Sequence, residues 1–370
     1  MPDSNLHKLS ALGQSVWIDY LSRKLVHDGE LARMMKEDAV VGVTSNPTIF
    51  QKAIAEGDAY DEQLKEVLEA GETDAKEIFL QLSSRDVDDA TDLLRKVWDE
   101  GEGLDGYVSW EVDPRLAYDR EATTKEAQRL HAWVDKPNLY VKIPATEPGI
   151  GSIEDMIAAG KNINVTLIFS LERYKEVVEA YIRGVERLVE NGGDAKSVHS
   201  VASFFVSRVD TETDKRLDAI GGDATKLKGK LAIANAKLAY EHYLEAFGTE
   251  RWKKLEAQGA TKQRCLWAST SVKNPDYRDT LYVEELIGPE TVNTMPEETI
   301  EAFQDHGRVT ATLTEGLDDA KKVFDDIRAA GVDYDDVVKT LEEEGIKKFA
   351  DSFDELMDGI KSKRGELAPA

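Results

Sequence analysis

The sequence predicts an α/β fold, a closed (β/α)8 barrel with a helical insertion after the sixth strand and extra helices at the C-terminal end. Three observations carry this. Candidate strands alternate with candidate helices, which implies parallel pairing. The strands number eight, which closes such a barrel. The 370 residues suit one large barrel domain over 1–370, with the insertion at about 211–263 and the added helices at about 315–361. A doubly wound open sheet is the alternative architecture. No glycine-rich fingerprint follows the first strand, which weakens its dinucleotide-binding form.

The first strand is expected over 15–20 (S-V-W-I-D-Y) and the second over Val40–Thr44, ended by Asn46-Pro47 turn chemistry. The third falls at 106–112 (G-Y-V-S-W-E-V). The fourth lies within 138–146 (N-L-Y-V-K-I-P-A-T), closed by Pro144. The fifth is 163–169, the sixth 198–206, the seventh 264–270 and the eighth Thr291–Met295. Several of these runs are apolar on both faces, as buried parallel strands are.

Apolar residues at helical spacing predict the intervening elements. Leu25, Leu31, Met34 and Met35 mark one helix, and 47–70 reads as another. The stripe Val87, Ala90, Leu93, Leu94, Val97 and Trp98 predicts a helix over 86–100, stopped by Gly101 and Gly103. A polar helix is expected over 120–134. Ser152 and Asp155 look like a capping box opening a helix that Gly160 closes. Ser170 reads as the cap of the next helix, and 231–247 is strongly helical. After the eighth strand come three stripes: Leu317 to Ile327, Val337 to Leu341, and Ile346 to Ile360. The tail S-K-R-G-E-L-A-P-A is expected to fray.

Composition narrows the function. The net charge of -25 argues against nucleic acid, because an acidic chain gains nothing from a phosphate backbone. Local basic spots can still hold a phosphate. One cysteine, Cys265 in a strand-like core run, allows no intrachain disulfide, and the start M-P-D-S-N-L-H-K lacks a signal-peptide pattern. Both suit the cytoplasm, and no apolar run reaches membrane-spanning length. The six histidines are scattered without H-x-H or H-E-x-x-H spacing, so no metal site is expected. The segment 222–230 (G-D-A-T-K-L-K-G-K) has the wrong glycine spacing for a phosphate loop.

The chemistry centres on Lys142, set among Leu139, Tyr140, Val141 and Ile143. Burial disfavours an ammonium, and a neutral amine is a nucleophile, so Lys142 fits a Schiff-base residue attacking a substrate carbonyl. The ordinary alternative is a strand-end lysine whose amine snorkels to water. Other strands carry polar residues at or near their C-terminal ends, where barrels place active sites: Asp19, Asn46, Glu111, Asn164, Thr166, Ser203, Arg208, Ser269 and Lys273. Singly, Asp19, Asn46, Ser203 and Ser269 suit caps or turns, Glu111 a solvated strand end, Thr166 plain strand propensity, and Arg208 and Lys273 surface charge. Together they would line one mouth. Glu111 with Thr166 could hold a water for proton transfer to and from a carbinolamine. Asp19 could remove the hydroxyl proton beta to the imine, with the protonated imine as electron sink, so no cofactor is called for.

Six stretches resemble the transaldolase family: G-V-T-S-N-P-T (42–48), S-W-E-V-D-P-R-L-A-Y-D (109–119), L-Y-V-K-I-P-A-T (139–146), I-N-V-T-L-I-F-S (163–170), S-F-F-V-S-R-V-D (203–210) and W-A-S-T-S-V-K-N-P (267–275). The length is similar to the longer bacterial branch. The resemblance implies a TIM-type barrel enzyme of the pentose phosphate pathway. It would move a dihydroxyacetone unit from sedoheptulose 7-phosphate to glyceraldehyde 3-phosphate, giving erythrose 4-phosphate and fructose 6-phosphate. It implies Lys142 as the Schiff-base residue, Asp19 as acid/base for carbon–carbon cleavage, and Glu111 with Thr166 at the water. Asn46, Asn164 and Ser203 would hold the dihydroxyacetone unit. Arg208 and Ser269 fall on phosphate-binding positions. Where the shorter branch reads S-P-F, this chain has Ser203-Phe204-Phe205; where that branch reads S-F-R, this chain has Ser269-Thr270-Ser271-Val272-Lys273. The two extra residues leave the match of Lys273 open, and Ser271 as an alternative to Ser269. Sugar phosphates are the expected partners, with no nucleic acid or membrane, for a monomer or homodimer. Two other readings are a class I aldolase that releases free dihydroxyacetone and a non-catalytic sugar-phosphate-binding protein. Binding alone needs neither Lys142 nor Glu111.

Overall fold

The computed structural model describes residues 4–55 and 57–367. Its eight strands are β1 (Gln14–Ile18), β2 (Val40–Thr44), β3 (Tyr107–Glu111), β4 (Leu139–Pro144), β5 (Ile163–Ile168), β6 (Ser200–Phe205), β7 (Arg264–Ala268) and β8 (Thr291–Met295). Each pairs in parallel with the next, and β8 returns to β1 to close the barrel. The fold expectation holds, and β2 and β8 keep their expected bounds.

Alternation along the strands stacks the barrel interior in layers. Near its lower end, Trp17 faces Tyr107 and Tyr140, with ring centroids 6.3 Å and 6.1 Å away, and the two tyrosines stack at 4.1 Å. Gly42 makes room for the indole, since a Cβ there would lie 2.5 Å from the Trp17 ring. Arg264 closes the bottom, 3.0 Å from Asp105 and bonded to Ser15 Oγ at 2.9 Å. Two residues further along β1, β3 and β4 come Asp19, Ser109 and Lys142, on the faces that carry Trp17, Tyr107 and Tyr140. The aromatic layer is therefore the floor beneath the polar residues.

Several helices differ from expectation. The 86–100 segment is the second half of a 26-residue helix, Ala75–Glu100, capped by Asp74. Asp86 lies buried inside it, bonded to Arg23 at 2.9 Å and to Tyr60 at 2.7 Å. A paired carboxylate facing the core breaks the apolar stripe that marks a helix face. The 47–70 segment is two helices, Pro47–Ala55 and Asp61–Glu69, with Gly57 at φ +80° between them. The helix Glu147–Ala158 is capped by Thr146, whose Oγ accepts from Gly149 N, while Ser152 sits inside it and bonds Arg120 O. Ser170 caps its helix as expected, accepting from Arg173 N.

The stretch after β6 holds Ser207–Ile220, a 3-10 turn at Gly222–Leu227, Leu231–Ala246 and Glu250–Glu256. Its later helices pack on the outside of the barrel: the Trp252 ring lies tilted against Tyr181 at 6.0 Å, and Asn235 donates to Phe169 O at 2.8 Å. The last two expected stripes form one 34-residue helix, Tyr334–Leu367. The tail does not fray through Leu367: Lys363 donates to Gly57 O and Asp61, and Arg364 to Thr73 O. Its remaining residues, 368–370, lie outside the described ones. Among the described residues, no helix is long and apolar enough to cross a membrane.

Candidate active site

A cavity of about 730 Å³ opens at the C-terminal ends of the strands. Asp19, Asn46, Lys142, Thr166, Ser203, Arg208, Ser269 and Lys273 all line it. Glu111 and Asn164 lie buried beneath that wall, touching residues that form it.

The barrel register places Lys142 between Glu111 on β3 and Asn164 on β5. Lys142 Nζ donates to the Ser45 carbonyl at 2.9 Å and stands 3.2 Å from Glu111 Oε2, an ion pair without hydrogen-bond geometry. Lys142 is 5% exposed and Glu111 8%. Burial pushes the Glu111 carboxyl above its ordinary value; the Lys142 charge opposes this and Asp19 adds to it. Glu111 Oε2 and Thr166 Oγ1 are both buried without a protein hydrogen-bond partner. A buried polar group without a hydrogen bond costs about 1–3 kcal/mol, so the Thr166 hydroxyl in the wall, with Glu111 Oε2 behind it, calls for a polar occupant.

Asp19 follows β1, its backbone N–H bonded to Met295 O at 2.9 Å. Its Oδ1 accepts from Thr44 Oγ1 at 2.7 Å, and Thr44 meets Thr294 Oγ1 at 2.6 Å. Desolvation raises the Asp19 carboxyl; the Lys142 charge, the Thr44 hydroxyl and Arg208 pull it down. Asn46 Oδ1 accepts from Ile49 N at 3.1 Å, so it caps the helix Pro47–Ala55 as well as lining the cavity. Asn164 is pinned on both sides: Nδ2 donates to Ser109 Oγ at 3.0 Å, and Oδ1 accepts from Ser203 at 2.7 Å.

The opposite side of the cavity is cationic. The Arg208 guanidinium lies over Phe205 at 5.1 Å and Phe349 at 5.9 Å, with no ion pair or hydrogen bond among the described residues. Desolvation lowers its proton affinity, and Asp19 and Glu111 partly restore it. Ser269 takes φ +55°, a conformation that disfavours a side chain, with its Oγ 3.0 Å from Ser207 Oγ. Lys273 is exposed and donates to Ser271 Oγ at 2.6 Å; Ser269 and Ser271 both line the cavity.

Sequence reasoning missed Thr44, Ser45, Lys52, Thr294 and Lys348. Thr44 and Ser45 were within reach, since they precede Asn46 at a strand's C-terminal end. Lys52 and Lys348 sit on helices whose course over the mouth no local pattern reveals.

A closed parallel barrel whose mouth sequesters a lysine among carboxylates and hydroxyls has the architecture of a barrel enzyme. Comparison with known proteins narrows this. A family model described as Transaldolase/Fructose-6-phosphate aldolase matches residues 16–360. "Transaldolase 2" of Streptomyces coelicolor is 50% identical over 367 residues, 99% of this chain and 98% of that protein. "Transaldolase" of Frankia alni is 52% identical, covering 97% of each chain, and "Transaldolase" of Mycolicibacterium paratuberculosis is 52% identical, covering 98% of each. The chain belongs to the transaldolase/fructose-6-phosphate aldolase family.

Proposed function

We propose that this enzyme is a transaldolase that carries a dihydroxyacetone unit on Lys142, from sedoheptulose 7-phosphate to glyceraldehyde 3-phosphate, in the pentose phosphate pathway. The observation that carries the residue assignment is the buried pair, Lys142 Nζ 3.2 Å from Glu111 Oε2 in the cavity mouth. Full-length relatives at about half identity, bearing the name transaldolase, support the activity.

In this reading the Lys142 amine adds to the ketone of the donor. Glu111, acting through a water held with Thr166, moves protons as the carbinolamine loses water to give the imine. Asp19 takes the proton of the beta hydroxyl. The carbon–carbon bond breaks, its electrons pass into the protonated imine, and an aldehyde leaves. The enamine then attacks the acceptor aldehyde by the reverse steps, and hydrolysis frees Lys142. Asn46, Asn164 and Ser203 hold the dihydroxyacetone hydroxyls. Arg208 holds the phosphate with Ser269 or Ser271, and Lys273 adds a point charge. The enzyme works as a monomer or homodimer in the cytoplasm, which light scattering and cell fractionation check.

The test supplies fructose 6-phosphate with and without erythrose 4-phosphate. Transfer gives sedoheptulose 7-phosphate only when the acceptor is present. Release of free dihydroxyacetone without acceptor, at a comparable rate, would make the enzyme an aldolase instead.

A further inference from the structure

The helix Tyr334–Leu367 arrives from the far end of the chain and borders the cavity with Leu341, Gly345, Lys348 and Phe349. Gly345 sets how close it comes. A Cβ there would lie 3.2 Å from Leu167 and 3.4 Å from Phe169, so the helix rests against the end of β5. Lys348 is three residues on, on the same helical face. Its neighbour Phe349 is one of the two rings beneath the Arg208 guanidinium.

Lys348 makes no hydrogen bond or ion pair among the described residues, in a chain with 72 acidic and 47 basic side chains. Desolvation first, and then the like charges of Arg208, Lys273 and Lys52, pull its ammonium below the ordinary lysine value. These four cations come from four separate elements and border one cavity. Four carboxylates also border it, Asp19, Glu212, Glu298 and Glu344. Glu212 is engaged by Lys215 and Arg216, while Glu298 and Glu344 make no ion pair with any of the four cations. The Asp19 and Glu111 charges reach Arg208, yet none of the four cations forms an ion pair among the described residues, and like charges gathered in this way mark a place for an anion. A phosphate dianion has the charge and the acceptor oxygens to engage several of them.

We propose that Lys348 is a phosphate-binding residue supplied by the C-terminal helix. The substrate's phosphate thereby bridges the barrel, through Arg208, to the helix that borders the mouth. This deepens the reading above and rests on its assignment of the phosphate to the Arg208 side. The consequence is selectivity: a phosphorylated acceptor gains a contact that an unphosphorylated one lacks.

Transfer through an enzyme-bound intermediate is ping-pong, so kcat/KM for the acceptor reports the second half-reaction alone. The measurement is the ratio of kcat/KM for glyceraldehyde 3-phosphate to that for free glyceraldehyde, with fructose 6-phosphate as donor. Lys348→Ala should lower this ratio about ten-fold or more, as loss of a charge-assisted hydrogen bond does. Lys348→Arg should restore most of it. Lys347→Ala, one residue away and paired with Asp351, should leave it alone. The inhibition constant of inorganic phosphate should rise in Lys348→Ala, and an unchanged Tm confirms the fold. A ratio within about two-fold of the parent, or an equal loss for both acceptors, overturns the proposal. Arg208→Ala separates the two levels. If it collapses the ratio while Lys348→Ala does not, only the Lys348 assignment falls. If neither variant moves the ratio, the phosphate assignment falls with it.

Discussion

Asp19 stands where opposing influences meet. Desolvation raises its carboxyl, while the Lys142 charge and the Thr44 hydroxyl lower it. Thr44→Val removes one stabilising hydrogen bond from the carboxylate, so the Asp19 pKa moves up. As a base it must be ionised, so the acid limb of the kcat/KM profile should shift to higher pH. A limb that stays in place would assign it to another group. Asp19→Asn should lower kcat about a hundred- to ten-thousand-fold by slowing carbon–carbon cleavage, and Glu111→Gln should do so by slowing imine formation and hydrolysis. Rapid-quench separation of the two steps checks the division, and activity within a few-fold of the parent removes that residue from the mechanism. Stability should respond with the opposite sign. The folded-state pKa of Asp19 is raised, so its contribution is fully present below the unfolded value, about 3.9, and is lost as pH rises through the folded value. At neutral pH Asp19→Asn should therefore match or exceed the parent in Tm, with the advantage closing as pH falls toward that value. A Tm deficit at pH 7 would mean that the ionised carboxylate helps hold the fold.

At the scale of elements, the C-terminal helix carries the largest debt to distant parts of the chain. Phe353 meets Phe79 edge-on at 5.6 Å, and Phe79 meets Phe50 at 5.5 Å, which ties this helix to Ala75–Glu100 and Pro47–Ala55. Arg115 lies over the Phe353 ring at 4.7 Å. Phe353→Ala should cost about 3–5 kcal/mol in chemical denaturation, as a buried phenylalanine does. A cost below about 1 kcal/mol would show that the helix is docked by other contacts. Gly345→Val forces a branched side chain against Leu167 and Phe169. The helix must lift, so KM for phosphorylated substrates should rise; unchanged kinetics would mean that β5 yields instead.

Across the whole molecule, the strands were the legible part. All eight were expected, several from runs apolar on both faces, because a closed parallel sheet covered by helices buries both faces of its strands. The same contrast exposed much of the mouth. Lys142, Asn164 and Thr166 are polar residues on otherwise apolar strands, and the two-residue period tells which face they share. Legibility failed where tertiary contacts decide. Asp86 and Ser83 are buried polar residues within the helix Ala75–Glu100, and they hid its first half from a periodicity argument. Lys348 sits in a charged stretch, E-E-E-G-I-K-K, that reads as a solvated face. Only the path of the helix over the barrel gives it neighbours.

The central claim is that Lys142 forms the covalent bond to substrate. Borohydride added during turnover of fructose 6-phosphate reduces the imine, and peptide mass mapping locates the added dihydroxyacetone unit. The account predicts the label on the peptide containing Lys142 and none in Lys142→Arg, whose guanidinium stays protonated. Label on any other lysine, or none on the parent enzyme, would contradict it.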